Sequence, residues 1–383
     1  MGTKYVQRRT TALSGWAGLV ALVGFMCLWA GVESAAVVDV QRMIQYDLGG
    51  EPLGSRKATF DLHASLMSSG SDLSRVVVVV PYLDLDVSAV QDLLDRKGSV
   101  SALLFVLPQD FATGAYNTAA IEQLEQVLIH RKVPFPVYFA VEDENLETMI
   151  QDLRQRVAAG IAPSPTTGGY RLSTKAREGQ KLESTSLENH WSWLKGAESA
   201  TGERNPTIAI VAYYDSISVS PGLSVGSDSN GSSIASLLEL ARLFSRLYED
   251  AKTKGNYNIL FLLTAGAALG YNGAEHWLAT VDARIFETVE FALCLDSLGT
   301  WGSDPEEGLH LHISRPPKDP RIQALHAEFT AVAKELDIPF SIVQKKVDLS
   351  SEQVAWEHEQ FSKKKIVAAT LSSRAAPPPP LGF

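Results

Sequence analysis

Residues 207–216 read TIAIVAYYDS, an unbroken apolar run that closes on two tyrosines and an aspartate. A run of this kind reads as a strand buried on both faces, as in a parallel sheet covered by helices. It delivers Asp215 to the C-terminal tip of the strand, the edge where open α/β sheets place their ligand sites. Tyr213 stands two residues earlier, on the same face of the strand.

The pattern repeats downstream. NGSSIASLLELARLFSRLYED (230–250) has apolar residues at three- and four-residue spacing and predicts a long helix. NYNILFLLTAG (256–266) predicts a strand, NGAEHWLATV (272–281) a helix, and VEFALCLDSLG (289–299) a strand ending in a second aspartate, Asp296. GLHLHIS alternates, PRIQALHAEFTAVAKEL and SEQVAWEHEQFSKKK read as helices, and IVAATLSS as a last strand. Upstream, RVVVVVPYL, SALLFVLP and FPVYFAVED are strand-like, and each precedes a helical segment within residues 76–160. Such βαβαβα order implies parallel strands with right-handed crossovers. The fold class is therefore α/β, a mostly parallel central sheet flanked by helices, with a smaller α/β unit before it.

Five segments are expected. Residues 1–36 form a signal peptide or signal anchor and 37–165 the small α/β unit. Residues 166–204, rich in Pro, Gly, Ser and Thr, form a linker or long loop. Residues 205–373 are the main domain and 374–383, RAAPPPPLGF, a proline-rich tail. Four prolines do not continue a sheet interior, so the tail reads as the end of a shortened product. At the other end, Lys4, Arg8 and Arg9 precede an uncharged stretch from Thr10 to Val32, followed by Glu33 and small residues. That is the order of a secretory signal, and the stretch is also long enough for an uncleaved anchor. Either puts the body of the chain in a lumen.

Composition narrows the classes further. With 34 Lys and Arg against 44 Asp and Glu, the net charge of −10 argues against nucleic acid as a partner. The 45% hydrophobic content is that of a globular protein. Of two cysteines, Cys27 lies in the N-terminal apolar segment, which leaves Cys294 alone in the folded body.

Several local patterns have plainer readings. GLSVG (222–226) matches the nucleophile-elbow spacing, but an elbow needs a strand directly before the serine, and Pro221 stands there. His310 and His312 share a strand face with no acidic neighbour in the run. Glu357, His358 and Glu359 are consecutive on a helix, point in different directions, and are expected on a solvated face. Asn230 opens the sequon N-G-S, a possible N-glycosylation site in a lumenal protein, and also sits where Asn commonly caps a helix.

The succession AYYD, GSDSNGSSIASLLELARLF, TAGAALGYNGAEHW, CLDSLG resembles the di-zinc aminopeptidases. Members of that family end one strand in H-x-D and open the next helix with D-N-x-S-G. Later strands end in a glutamate pair and in an aspartate, and a distal histidine completes the set. The resemblance puts the first histidine at Tyr213, the bridging aspartate at Ser229 and the glutamate pair, which includes the general base, at Ala267 and Ala268. Asp215 and Asp296 are retained, and the distal histidine falls on Arg374. Two carboxylates remain, so the resemblance implies a vestigial site with no metal, no other cofactor and no catalytic residue.

Longer stretches, VQRMIQYDLGGEPLGSR, PFPVYFAVEDE and VAWEHEQF, extend the similarity to the nicalin family, relatives of nicastrin. That resemblance implies an inactive peptidase-like scaffold of the endoplasmic reticulum membrane with its main domain in the lumen. The implied partners are the Nodal modulator protein and a small multipass membrane protein. They meet in a translocon-associated assembly for multipass membrane proteins that bears on Nodal signalling. Two other readings stand beside it: a hydrolase with a single metal on Asp215, Asp296 and a histidine, and a lumenal receptor for peptide ends in the vestigial cleft.

Overall fold

In the computed structural model the described residues are 4–9, 34–48, 50–69, 73–96, 100–109, 119–161, 169–180, 186–198, 202–299, 308–315, 320–351 and 354–377. The expected apolar segment of the signal or anchor, with Cys27, lies outside them, as does the end of the proline tail. No helix among the described residues is long and apolar enough to cross a membrane.

The chain forms two compact units, one of residues 1–182 with 218–224, the other of 183–217 with 225–383. The boundaries differ from those expected. Residues 166–204 are not one continuous loop: Gly169–Thr174 is a strand of the first unit and His190–Leu194 a strand of the second. Gly169–Thr174 is only six residues long, with Arg171 exposed, Ser173 half-buried and the rest buried. Flanked by Pro, Gly and Ser, so short a period is hard to tell from a loop.

The first unit holds an eight-stranded sheet, in which Phe60–Leu66, Val76–Pro81, Ala102–Leu107 and Val137–Val141 run parallel. The expected βαβαβα run is its centre, with helices Val87–Asp95, Ala119–Ile129 and Glu144–Ala158 between and after the strands. Val76–Pro81 and Ala102–Leu107 are buried at every residue, as strands covered on both faces must be. Asp86 and Asp143 cap two of the helices through their carboxylates. The basic stretch Lys4–Arg9 is a strand between Ser34–Val37 and Gly169–Thr174.

The second unit is built on a seven-stranded sheet. Thr207–Tyr213 lies inside it, parallel to Asn258–Thr264 on one side and to Val289–Asp296 on the other. Val367–Ser372 continues the parallel set beyond Val289–Asp296. Leu309–Ile313 joins antiparallel, Phe340–Gln344 follows it, and His190–Leu194 forms the opposite edge. From Thr207–Tyr213 the chain first moves to one neighbour and then returns to the other. That reversal opens a crevice at the C-terminal ends of the strands.

Alternation along the central strand decides which side chains meet. Ile210 and Ala212 face the Ser233–Glu249 helix with Leu237, Phe261 and Leu295. Ala209, Val211 and Tyr213 face the other layer, with Trp277 of Asn272–Thr280 and Phe361 of Glu357–Lys363. Continuing the same alternation on neighbouring strands brings Thr264, Asp296 and Thr370 to the face that carries Tyr213.

Candidate functional site

The four parallel strands of the second unit end together at Tyr213, Thr264, Asp296 and Ser372. The positions assigned from the sequence gather there. Tyr213 is buried, and its hydroxyl donates to Oδ1 of Asp296 at 2.5 Å and lies 2.8 Å from the Ser229 carbonyl oxygen. The side chain at the first-histidine position thus spans to the retained aspartate and to the backbone at the bridging-aspartate position. Burial first, then the charge of Asp296, hold the phenol far above its ordinary pKa, so it stays a neutral donor.

Asp296 is buried, and burial raises its pKa against the lowering effect of Tyr213, Arg374 and Ser372. Its Oδ2 accepts from the Ser372 hydroxyl at 3.3 Å, and the Arg374 backbone N–H donates to that same hydroxyl at 3.0 Å. Arg374, at the distal-histidine position, anchors its guanidinium on the Ser297 hydroxyl at 2.7 Å. Asp215 is half-buried and accepts the Ala267 N–H at 3.3 Å. Ala267 and Ala268 lie in a single turn, Ala267–Leu269, set between Gly266 and Gly270, both left-handed. Tyr271 is also left-handed, at φ 57°, and stands edge-on to Tyr213 with ring centroids 5.8 Å apart. An L side chain rarely adopts that backbone; here a buried ring packs against Tyr213.

These residues do not fit two zinc ions. At the positions that the resemblance assigns to a bridging carboxylate and a glutamate pair stand Ser229, Ala267 and Ala268, and the Tyr213 phenol is a hydrogen-bond donor to Asp296, the more deeply buried of the two aspartates there. Among the described residues no group of three or more His, Cys, Asp and Glu side chains is placed to hold a metal ion.

A second polar cluster lies under the same strand ends, and the sequence reading placed it wrongly. Glu357, His358 and Glu359 were expected on a solvated face; all three are buried, with Gln360. The reason is tertiary. Glu357–Lys363 is only two turns long and lies against the sheet between Trp356 and Phe361, both buried, so no side of its first turn reaches water. Glu357 accepts the Thr264 hydroxyl on Oε1, its Oε2 has no partner, and burial pushes its pKa up to about 8. His358 lies between the hydroxyls of Thr370 and Ser314, each 2.8 Å away, and burial brings its pKa down to about 3. The signal available in the sequence was the aromatic flank, Trp356 before and Phe361 after the charged run.

The remaining motifs take structural roles. His312 is buried, stacks on Trp356 at 4.1 Å and pairs through Nε2 with the Arg374 carbonyl oxygen at 2.7 Å. His310 bonds to Ser341 at 2.7 Å. Ser224 follows a turn, not a strand, so GLSVG is no elbow. Asn230 is buried inside the turn Ser227–Ser232, and its Nδ2, the atom a glycan would occupy, donates to the Tyr214 carbonyl oxygen at 2.8 Å. Asn230 thus ties a turn to a strand end where a helix cap was expected.

Comparison with known proteins follows the same lines. Residues 195–377 match the model of Peptidase family M28. BOS complex subunit ncln of Danio rerio is 37% identical over 356 residues, and BOS complex subunit NCLN of Homo sapiens 35% over 356. The alignments cover 88% of this chain and 60% and 61% of those proteins. The chain thus spans about three-fifths of the length of these relatives. Nicalin of Caenorhabditis elegans is 28% identical over 359 residues, covering 86% of this chain and 61% of that one. A solved aminopeptidase from Aneurinibacillus sp. strain AM-1 is 15% identical, with a TM-score of 0.38 over 98% of this chain and 72% of that one, too slight a likeness to add to the family match. The chain is similar to the nicalins along most of its length, and its second unit is peptidase-like, of the M28 type.

Proposed function

We propose that this chain is a non-catalytic, peptidase-like binding subunit of a membrane-protein complex. One observation carries the reading. The Tyr213 hydroxyl bonds to Asp296 and to the Ser229 carbonyl, so the retained carboxylate is satisfied by protein where an M28 peptidase would need it for a metal. Among the described residues no side chain beside it stands in for the base that the resemblance would require. Glu357 is sealed under the strand ends, and its Oε1 is taken by Thr264. A receptor for peptide ends at the same site is disfavoured, because the Tyr213 hydroxyl already engages Asp296.

The similarity to BOS complex subunits supports assembly in an endoplasmic reticulum complex. The partners we propose are the Nodal modulator protein and a small multipass membrane protein, at the translocon that handles multipass proteins, with the two units lumenal and an effect on Nodal signalling. The test is one preparation of the chain with three readouts. Metal analysis after zinc loading and dialysis should find no stoichiometric zinc, and aminoacyl p-nitroanilides should not be turned over. Co-expressed Nodal modulator protein should co-purify. Stoichiometric zinc with turnover lost in Asp215→Ala would overturn the inactive reading. Failure of co-purification would overturn the partner.

A further inference from the structure

The second unit has a cavity at the end of its sheet away from Asp215 and Asp296. It is bordered by the first residue of one strand, Asn258, and by Thr288, which precedes another, and holds about 630 Å³, the size of a ligand pocket. Trp193 and Ile285 supply its apolar surface; Lys195, Glu203, Arg204 and Arg284 are exposed at its rim.

Trp193 also belongs to His190–Leu194, the end strand of the sheet. Among the described residues this strand pairs only with Asn258–Thr264, which leaves its outer backbone edge without a strand partner. Free edges are ordinarily guarded by proline, lysine, a bulge or a cover. HWSWL contains neither proline nor lysine, its register is regular, and Trp191 on it is 45% exposed. An open edge that runs into a pocket is the arrangement used in recognition by strand addition, with backbone bonds giving affinity and the pocket selecting a side chain.

We propose that this edge and the cavity form one site for an extended segment of a partner polypeptide, which pairs with His190–Leu194 and inserts a bulky apolar side chain between Trp193 and Ile285. The rim decides the occupant. It carries both signs, and Arg284 is already held in a fork by Asp282, which also lines the cavity. A lone anion would meet Glu203 and a lone cation Lys195, whereas a peptide with one basic and one acidic residue flanking the apolar one satisfies both. A second copy of the chain fits less well. Its own Trp193 packs on the core, and Trp191 stands edge-on to Trp277 at 6.5 Å, so neither can enter a neighbour's cavity. The site is separate from the assembly proposed above and stands or falls apart from it.

The test uses the full chain and a blocked, fluorescein-labelled peptide of alternating valine and threonine with one central phenylalanine, a lysine before it and a glutamate after it. Fluorescence anisotropy should show saturable binding. A peptide N-methylated along the pairing edge, and one with aspartate for phenylalanine, should each bind about tenfold more weakly or worse. Ile285→Glu should weaken binding about tenfold with unchanged circular dichroism, and Lys195→Glu covers the case that Ile285→Glu misfolds. Equal binding of all three peptides, or none at millimolar concentration, would overturn the proposal. So would a chain dimer, seen by sedimentation, that persists with excess peptide and is lost in Ser192→Pro.

Discussion

The Tyr213 hydroxyl and Oδ1 of Asp296 are 2.5 Å apart, on neighbouring parallel strands, at the C-terminal edge of the sheet. A neutral phenol satisfies the buried carboxylate there. The phenol is the donor to this carboxylate, and the cost of removing it follows. Tyr213→Phe leaves Oδ1 of Asp296 short of its donor in a buried setting. The Ser229 carbonyl keeps the Ser297 N–H at 3.2 Å, so the loss falls on Asp296. The substitution should lower unfolding free energy by about 1–3 kcal/mol, read by urea denaturation at pH 7. A variant as stable as the parent would mean that Asp296 is satisfied some other way.

Glu357 and His358 set opposite limbs of the stability–pH profile. Glu357 has its folded pKa raised from 4.5 to about 8. Its contribution is fully present below pH 4.5 and is lost as pH rises to 8, because only the folded state then holds the proton. His358, lowered from 6.5 to about 3, and His312, lowered to about 4, act the other way. Their contributions are present above pH 6.5 and lost as pH falls toward 3, because only the unfolded state then takes up protons. Stability should peak between these limbs. In Glu357→Gln the fall from pH 5 to pH 8 should shrink, by an amount on the order of 3 kcal/mol, when denaturation is followed across that range. An unchanged slope would show that Glu357 is ionised in the fold.

Asn230 should carry no glycan. Expressed through a secretory pathway, the chain should show no mass change at this sequon on treatment with a peptide N-glycosidase, because Nδ2 is committed to Tyr214. Asn230→Ala, which frees the Tyr214 carbonyl, should cost about 1–2 kcal/mol by thermal unfolding. Glycan occupancy at Asn230 in the folded, soluble protein would contradict the packing described.

Gly273 allows the Asn272–Thr280 helix to start against the end of the neighbouring strand. A Cβ there would stand 2.0 Å from the Ala265 carbonyl oxygen and 2.8 Å from the Ala265 nitrogen, backbone atoms that cannot rotate away. Gly273→Ala should destabilise by about 1–3 kcal/mol, whereas Gly270→Ala, with open space around it but φ +71°, should cost about 1 kcal/mol from backbone strain alone. Comparing the two midpoints separates clash from strain. Equal losses would argue against the close helix–strand approach.

By itself, the sequence determined the α/β layering and the strand ends at Tyr213 and Asp296. Apolar runs closed by a polar residue state both the burial of a strand and where it stops, and both are local facts. The identities of Ser229, Ala267 and Ala268 were equally legible, since the identity of a side chain needs no fold to be read. Only the tertiary structure decided what surrounds the two aspartates. That the Tyr213 phenol reaches Asp296, that Arg374 links to the same carboxylate through Ser372, and that Glu357 and His358 lie inside are products of strand pairing and of a two-turn helix laid on a sheet. A charged run on a short helix looks the same in sequence whether it meets water or a sheet. The neighbours that settle the question are nearly a hundred residues away at Thr264 and twelve away at Thr370.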